Sequence, residues 1–339
     1  VSPSKVPRIR AEELESIRRS GPWSAGLIEH LKRQSRSYDA LVFFSLASPL
    51  TIHGLQIAPD RSVLFPHCRL QPELRFGVLA EAVGSAGAIG YLSATERRLV
   101  RSYMRVNPQH EEIVGIGIDP SPEQSYPRHQ QDPADTVARD DDEANDQLDE
   151  ATHLTGRGVP FRRRHRLYGS FALYSGRVEP DNGSEEMIEY FDTFAAGDRD
   201  ICLVLMGVKM IKVPDEPYIR LAGVLPERER MVAYEAADVT IAPASDDLTS
   251  QSVLESFAVG TPVLACGRNR AAVEHCQRAN AGLYYTNRDE FVEALRVITT
   301  NHRLRERLSV NGRSYIRQHF RWDAVLGRFD RLVSKIRNK

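Results

Sequence analysis

Residues 237–267, ADVTIAPASDDLTSQSVLESFAVGTPVLACG, constrain the fold of this chain more than any other stretch. Val239, Ile241 and Ala242 lie in an apolar run of strand length. The polar loop Ser245-Asp246-Asp247 follows, with Thr249 and Ser250 as candidate N-caps. Val253, Leu254, Phe257 and Ala258 then recur at helical spacing, Gly260 suits the position just past a helix, and Pro262 blocks its continuation. A second short strand over 262–266 completes a strand–loop–helix–strand unit. In an open α/β sheet such a loop lies at the carboxyl edge of the strands, where ligands bind.

The helix start at 250–253 offers unpaired N–H groups and the positive end of a helix dipole, which suit a phosphate. Asp247 lies in the loop before it and Glu255 just past the first turn. Both carboxylates can flank an anion held there and accept hydrogen bonds from sugar hydroxyls. A plainer assignment stands beside this one: Asp247 adds to capping and Glu255 is a solvated helix residue.

The same alternation fills the rest of the second half. Strands are predicted at 171–174, 201–206, 218–221, 237–241 and 282–285, with helices at 185–195, 226–236, 250–259, 271–279 and 288–299. A doubly wound parallel sheet is the natural solution. The first half carries helices at 11–19, 25–34, 72–83 and 94–103 and strands at 40–44, 62–65, 88–92 and 112–118. The strand at 62–65 runs into Pro66-His67-Cys68, a loop position that presents a functional side chain.

Between the halves, 121–158 is acidic and has few large apolar residues, so a disordered insert is expected. Asp140-Asp141-Asp142 formally satisfies a D-x-D metal pattern, but no strand precedes it, and a solvated acidic run is the plainer reading. Arg162 to Arg166 then reverses the sign of charge. It reads as a basic linker answering the insert, with phosphate contact as the alternative. Helical stretches at 303–308 and 323–337 end the chain. In the last, Val325, Leu326, Phe329, Leu332, Val333 and Ile336 form an apolar stripe that either packs on the protein or meets a membrane surface.

A chain of 339 residues holds two cores, and 41% hydrophobic with 27% charged residues is the composition of a globular protein. A net charge of −1 argues against a dedicated nucleic-acid binder. No apolar run reaches membrane-spanning length and no signal-peptide core is found, so a cytoplasmic location is expected, with peripheral contact at the inner face of a membrane as a further expectation. Cys68, Cys202, Cys266 and Cys276 have neither metal-ligand nor disulfide-framework spacing and read as reduced and mostly buried.

Three features stand together: Tyr174-Ser-Gly-Arg-Val-Glu-Pro-Asp-Asn-Gly183, the 237–267 stretch with carboxylates at Asp247 and Glu255 separated by seven residues, and the order in which the two occur in one βαβ series. This resembles the family-4 retaining glycosyltransferases (glycosyl transferases group 1) of GT-B architecture, whose pattern is GR…KG, then E-x7-E with G-x-PV. Further similarity lies in Leu221-Ala-Gly-Val224, Ala279 to Tyr285, and Asn311-Gly-Arg-Ser-Tyr315 before Trp322. It is looser in the first half, in Tyr38 to Ser45, Leu64 to His67 and Gly115 to Asp119.

The resemblance implies two Rossmann-type domains facing a cleft, and a reaction that moves a sugar from a nucleoside-diphosphate sugar to a hydroxyl acceptor (a glycan, a lipid or a small molecule) in cell-surface glycan or glycolipid assembly. It implies that Arg177 binds the donor diphosphate, that Asp247 contacts sugar hydroxyls, and that Glu255 holds the ribose. It also implies that backbone N–H groups near Ser252 and Val253 cradle phosphate, with Thr249 in the same donor loop. It implies, finally, that His67 faces the reacting sugar, which makes His67 and Asp247 the catalytic candidates. No cofactor or metal is expected, because the protein itself supplies the charge.

Three departures bear on activity. Asn182 replaces the family's second phosphate-binding cation, usually Lys. Asp247 is one methylene shorter than Glu. Asp247-Leu-Thr-Ser250 lacks both glycines of the usual E-G-F-G. The strands that open such enzymes have no counterpart before Ala25, so the first domain is expected to be incomplete. The expected organisation is a partial acceptor-side domain at 1–120, the insert and linker at 121–168, the nucleotide-sugar domain at 169–318, and a C-terminal helix at 319–339 packed back on the first domain. The rivals are a weak or inactive relative that only binds a nucleotide or supports a partner subunit, a sugar-nucleotide epimerase of the same architecture, and polyanion binding through 162–166.

Overall fold

A computed structural model describes residues 10–19, 21–104, 107–119, 158–197 and 201–337. The acidic stretch with Asp140, Asp141 and Asp142, expected as a disordered insert, lies outside the described residues. The chain forms two compact units. The first comprises Val1–Gly117, Asp246–Thr249 and His319–Lys339; the second comprises Ile118–Ser245 and Ser250–Gln318.

The first unit runs α1 (Arg10–Arg19), α2 (Ala25–Gln34), β1 (Leu41–Phe44), α3 (Pro49–Leu55), β2 (Ser62–Phe65), α4 (Gly77–Ser85), β3 (Ala88–Tyr91), α5 (Ala94–Met104) and β4 (Glu111–Ile113). Its strands pair in parallel in the order β1-β2-β3-β4. Every residue of β2 and β3 is buried, as parallel strands covered on both faces require. Successive side chains point to opposite faces, which separates two cores. Leu64, Ile89 and Tyr91 pack with Ile52, Leu79 and Val100 of the crossover helices. Val63, Phe65 and Ala88 pack with Val325, Leu332 and Ile336 of the C-terminal helix Trp322–Arg337. That stripe therefore packs on the protein, with Leu326 left half-exposed. Arg328 Nε donates to Val114 O at 2.8 Å, and Arg331 and Lys335 both pair with Glu112.

Several elements differ from the sequence expectation. Helix α3 was absent from it, because seven residues beginning at a proline give too little periodicity to register. The segment expected as one helix at 72–83 is a 3₁₀ turn, Pro72–Arg75, followed by α4. The strand expected at 112–118 stops at Ile113: Val114 and Gly115 both donate to Tyr91 O, and Gly115, at φ +79°, turns the chain away. The basic run expected as a linker is largely a short helix, α6 (Val159–Arg164). Its Phe161 is buried, and the Arg162 guanidinium lies 4.7 Å over the Phe171 ring while donating to Gly169 O, Ala236 O and Asp238. Arg162 is a structural brace.

The second unit continues with β5 (Phe171–Ser175), α7 (Ser184–Ala195), β6 (Cys202–Met206), β7 (Ile219–Gly223), α8 (Glu227–Ala236), β8 (Val239–Ala242), α9 (Gln251–Val259), β9 (Val263–Cys266), α10 (Arg270–Ala279), β10 (Gly282–Tyr285), α11 (Arg288–Thr300) and α12 (His302–His319). Helix α12 runs well past the 303–308 expected. All pairings are parallel, in the order β10-β9-β8-β5-β6-β7. Counted from β5, this is 6-5-4-1-2-3, the doubly wound order, and the direction of winding reverses between β5 and β8. No helix among the described residues is long and apolar enough to cross a membrane.

Candidate functional site

A doubly wound sheet binds ligands outside the carboxyl ends of the strands where its winding reverses. In the second unit those are the turn after β5, the residues directly after β8 and the first turn of α9, the intervening Asp246–Thr249 belonging to the first unit.

The turn after β5 carries Arg177 and Asn182. Tyr174 OH donates to Arg177 O at 2.7 Å. The Asn182 amide donates both to Tyr174 OH, at 3.0 Å, and to Arg177 O, while Ser184 Oγ donates to Asn182 Oδ1. Asn182, expected where the resemblance has a phosphate-binding lysine, therefore uses its side chain to hold the turn closed. Arg177 is half-exposed, and its guanidinium pairs with Glu179 at 3.0 Å. Gly183, at φ +71°, brings this turn against the β8 loop: a Cβ there would lie 2.8 Å from Ala244 N and 2.9 Å from Ala244 O. Only glycine accepts both that conformation and that approach.

The start of α9 departs from the expected capping. Ser250 occupies the cap position in a left-handed conformation (φ 49°, ψ 49°) and makes no side-chain cap. Its hydroxyl instead faces Asn269 Oδ1 at 3.4 Å. Thr249 does not cap either, because its N–H and hydroxyl both donate to Asp247 Oδ1, at 2.9 and 2.7 Å. Asp247 thus closes an Asx turn. Val253, expected to lend its N–H to phosphate, donates it to Ser250 O at 3.0 Å. The N–H groups of Gln251 and Ser252 form no backbone hydrogen bond among the described residues, so the first turn presents these two donors.

Glu255 is not the solvated residue of the plainer reading. It is 6% exposed, and its Oε1 accepts from Arg230 Nη2 and from Gln251 Nε2, each at 2.8 Å. Arg230 comes from α8, as does the fully buried Tyr234, whose phenol is held well above its usual range by burial and then by the Glu255 carboxylate. Arg230 carries no signal in the sequence, because no local spacing ties a residue of one helix to a carboxylate of the next.

In the first unit, His67 follows β2 with φ +40° and an exposed side chain. Glu96 holds the backbone beside it: Cys68 N donates to Glu96 Oε1 at 3.2 Å and Leu92 N to Glu96 Oε2 at 2.7 Å. Glu96 is 1% exposed, and burial raises its pKa to about 7 against the opposing pull of those amides. Glu96 N donates in turn to Ser93 Oγ, whose hydroxyl donates to Leu248 O. Ser93-Ala-Thr-Glu96 has capping-box spacing, a signal that could have singled this group out from sequence. Asp247 and Thr249 also belong to this unit, whereas Arg177, Asn182, Ser252, Val253 and Glu255 belong to the second.

The cysteines are free thiols, three of them buried. Burial pushes Cys68 and Cys276 up to about 12, which makes them poor nucleophiles.

Solved structures resemble the chain along nearly its whole length. HepE of Anabaena in complex with UDP is 12% identical with a TM-score of 0.69, over 91% of this chain and 82% of that one. Sucrose-phosphate synthase of Thermosynechococcus elongatus is 15% identical with a TM-score of 0.64, over 99% and 82%. WaaG, a glycosyltransferase involved in lipopolysaccharide biosynthesis, is 16% identical with a TM-score of 0.60, over 91% and 81%. The fold is accordingly α/β and GT-B-like, with two Rossmann-type units. The family model of glycosyl transferases group 1 matches residues 161–315, the stretch that holds the β5 turn, α8 and α9.

Proposed function

We propose that this chain is a retaining glycosyltransferase that moves a sugar from a nucleoside-diphosphate sugar to a hydroxyl acceptor. One observation carries the reading: Arg177 and the first turn of α9 stand on the two strands between which the winding of the sheet reverses, with the buried carboxylate of Glu255 one turn further on. The match of 161–315 to glycosyl transferases group 1 supports the same reading, as do the solved structures of HepE with UDP and with UDP-glucose.

In this mechanism the bond from the sugar's anomeric carbon to the diphosphate breaks, and the electron pair leaves with the diphosphate oxygen. The Arg177 guanidinium and the N–H groups of Gln251 and Ser252 stabilise that charge. The acceptor hydroxyl attacks the same face and passes its proton to the departing oxygen. Glu255 accepts hydrogen bonds from the ribose. The resemblance assigns His67 and Asp247 to the reacting sugar, and no metal or cofactor enters the scheme.

Titration with nucleoside diphosphates and a donor-consumption assay test the reading. Glu255→Ala should weaken nucleotide binding by about 10- to 100-fold, the worth of hydrogen bonds to a charged group. Arg177→Ala should lower turnover by about 100-fold or more, because its partner is the charge that develops on the leaving group. Absence of binding to UDP, ADP and GDP alike would overturn the proposal. A second reading, a nucleotide-binding relative without turnover, draws on the Asn182 amide being consumed inside its turn. Tight nucleotide binding with no donor consumed, by hydrolysis or by transfer, would establish it instead.

A further inference from the structure

The structure assigns Arg230 as a positioning residue for nucleoside recognition: with Gln251 it pins one oxygen of Glu255, which aims the carboxylate at the ribose diol of a bound nucleoside diphosphate. The inference rests on the reading above and adds a residue to it.

A carboxylate only 6% exposed needs cations and donors in place of the water it has lost. Both polar partners of Glu255 converge on the same atom, Oε1, and approach it from two elements, Arg230 from α8 and Gln251 from the first turn of α9. A carboxylate has about four lone-pair sites, so two donors on Oε1 leave it acceptor capacity. Two further donors, Arg230 Nε and Tyr234 OH, lie one helical turn apart on α8. Both are buried, and the Tyr234 phenol feels the Glu255 carboxylate. The α8 side of Glu255 thus supplies donors and one positive charge.

An ionised carboxylate can only accept, so its ligand must donate, and a pair of neighbouring hydroxyls does so twice. Ser252 and Glu255 are separated by about 4.5 Å along the helix axis, so a phosphate on the first-turn N–H groups leaves the next sugar within reach of Glu255. The charge on Arg230 is not used on phosphate here. Its task is to fix the rotamer of Glu255.

The test is a calorimetric titration of the full chain with UDP, ADP and GDP, then with the 2′,3′-dideoxy counterpart of the tightest. Wild type should prefer the ribonucleotide by about 10- to 100-fold. Arg230→Met should bring that ratio to within about 3-fold while binding of the dideoxy nucleotide changes little, and Arg230→Lys should fall between. Removing one partner of a buried pair can unfold a protein, so melting curves accompany each variant. Gln251→Ala, at an exposed position, tests the same pin without that risk and should lower the ratio in the same direction. A ratio kept in both Arg230→Met and Gln251→Ala overturns the role of Arg230 and leaves the nucleotide reading standing. Wild type that binds no nucleotide, or does not discriminate the dideoxy form, overturns the ribose role of Glu255 and the inference with it.

Discussion

Glu96 shows what burial does to a carboxylate whose hydrogen bonds come from backbone amides. Its pKa rises from 4.5 to about 7, so between those values the folded chain holds a proton that the unfolded chain has released. Stability from this group is therefore greatest below pH 4.5, falls by about 3 kcal/mol as pH rises to 7, and is level above that. Glu96→Gln removes the titration, so denaturant midpoints at pH 5 and pH 8 should lie closer together in the variant than in wild type. Equal pH dependence in the two proteins would refute the assignment. At this scale the sequence was only partly legible. It placed Arg177 in a turn and Glu255 just past the first turn of a helix, but it left open whether Glu255 was solvated, and it put Asn182 where the resemblance has a phosphate-binding lysine. Each of those residues is defined by partners that are not its sequence neighbours or that depend on the curl of a turn, as with Asn182, Tyr174 and Arg177.

Most elements were legible because apolar periodicity survives any tertiary context. The strands of the second unit and the helices between them fall within a residue or two of expectation. The failures have local causes. Helix α3 is too short to show a period, Gly115 turns the chain out of β4, and the arginines of α6 look like a linker until Arg162 is seen stacked on Phe171. The start of α9 is a further departure, at the site proposed for the donor. Serine and threonine before a helix predict a side-chain cap, yet Ser250 is left-handed and Thr249 is bound to Asp247. The β5 turn gives the sharpest prediction at this scale. Gly183→Ala places a Cβ within 3 Å of the Ala244 backbone at a φ that alanine resists, so it should destabilise the second unit by about 1–3 kcal/mol and weaken nucleotide binding together with it. Denaturation and titration of the same variant check both; unchanged values in either would show that the two loops yield freely.

On the scale of the molecule, the first unit is built from both ends of the chain. The C-terminal helix supplies one of its two cores, in which Leu332 is fully buried beside Val63, Phe65 and Ala88. Leu332→Ala should cost about 2–5 kcal/mol, as a large-to-small change in a closed core does. The loss should fall on the first unit, so limited proteolysis should cut 21–104 in the variant while 201–318 stays protected; equal protection of both stretches in variant and wild type would show that the helix is dispensable. The sequence by itself determined the α/β class, the alternation of strand and helix, and the turns in which Arg177 and the α9 start would lie, because hydrophobic period and turn residues act over a few positions. Only the tertiary structure decided the strand order, the burial of Glu255 against Arg230 and of Glu96 against two amides, and the use of Arg162 as a brace. Those depend on which distant segments share one low-dielectric space, and a buried charge takes its behaviour from whatever the fold places beside it.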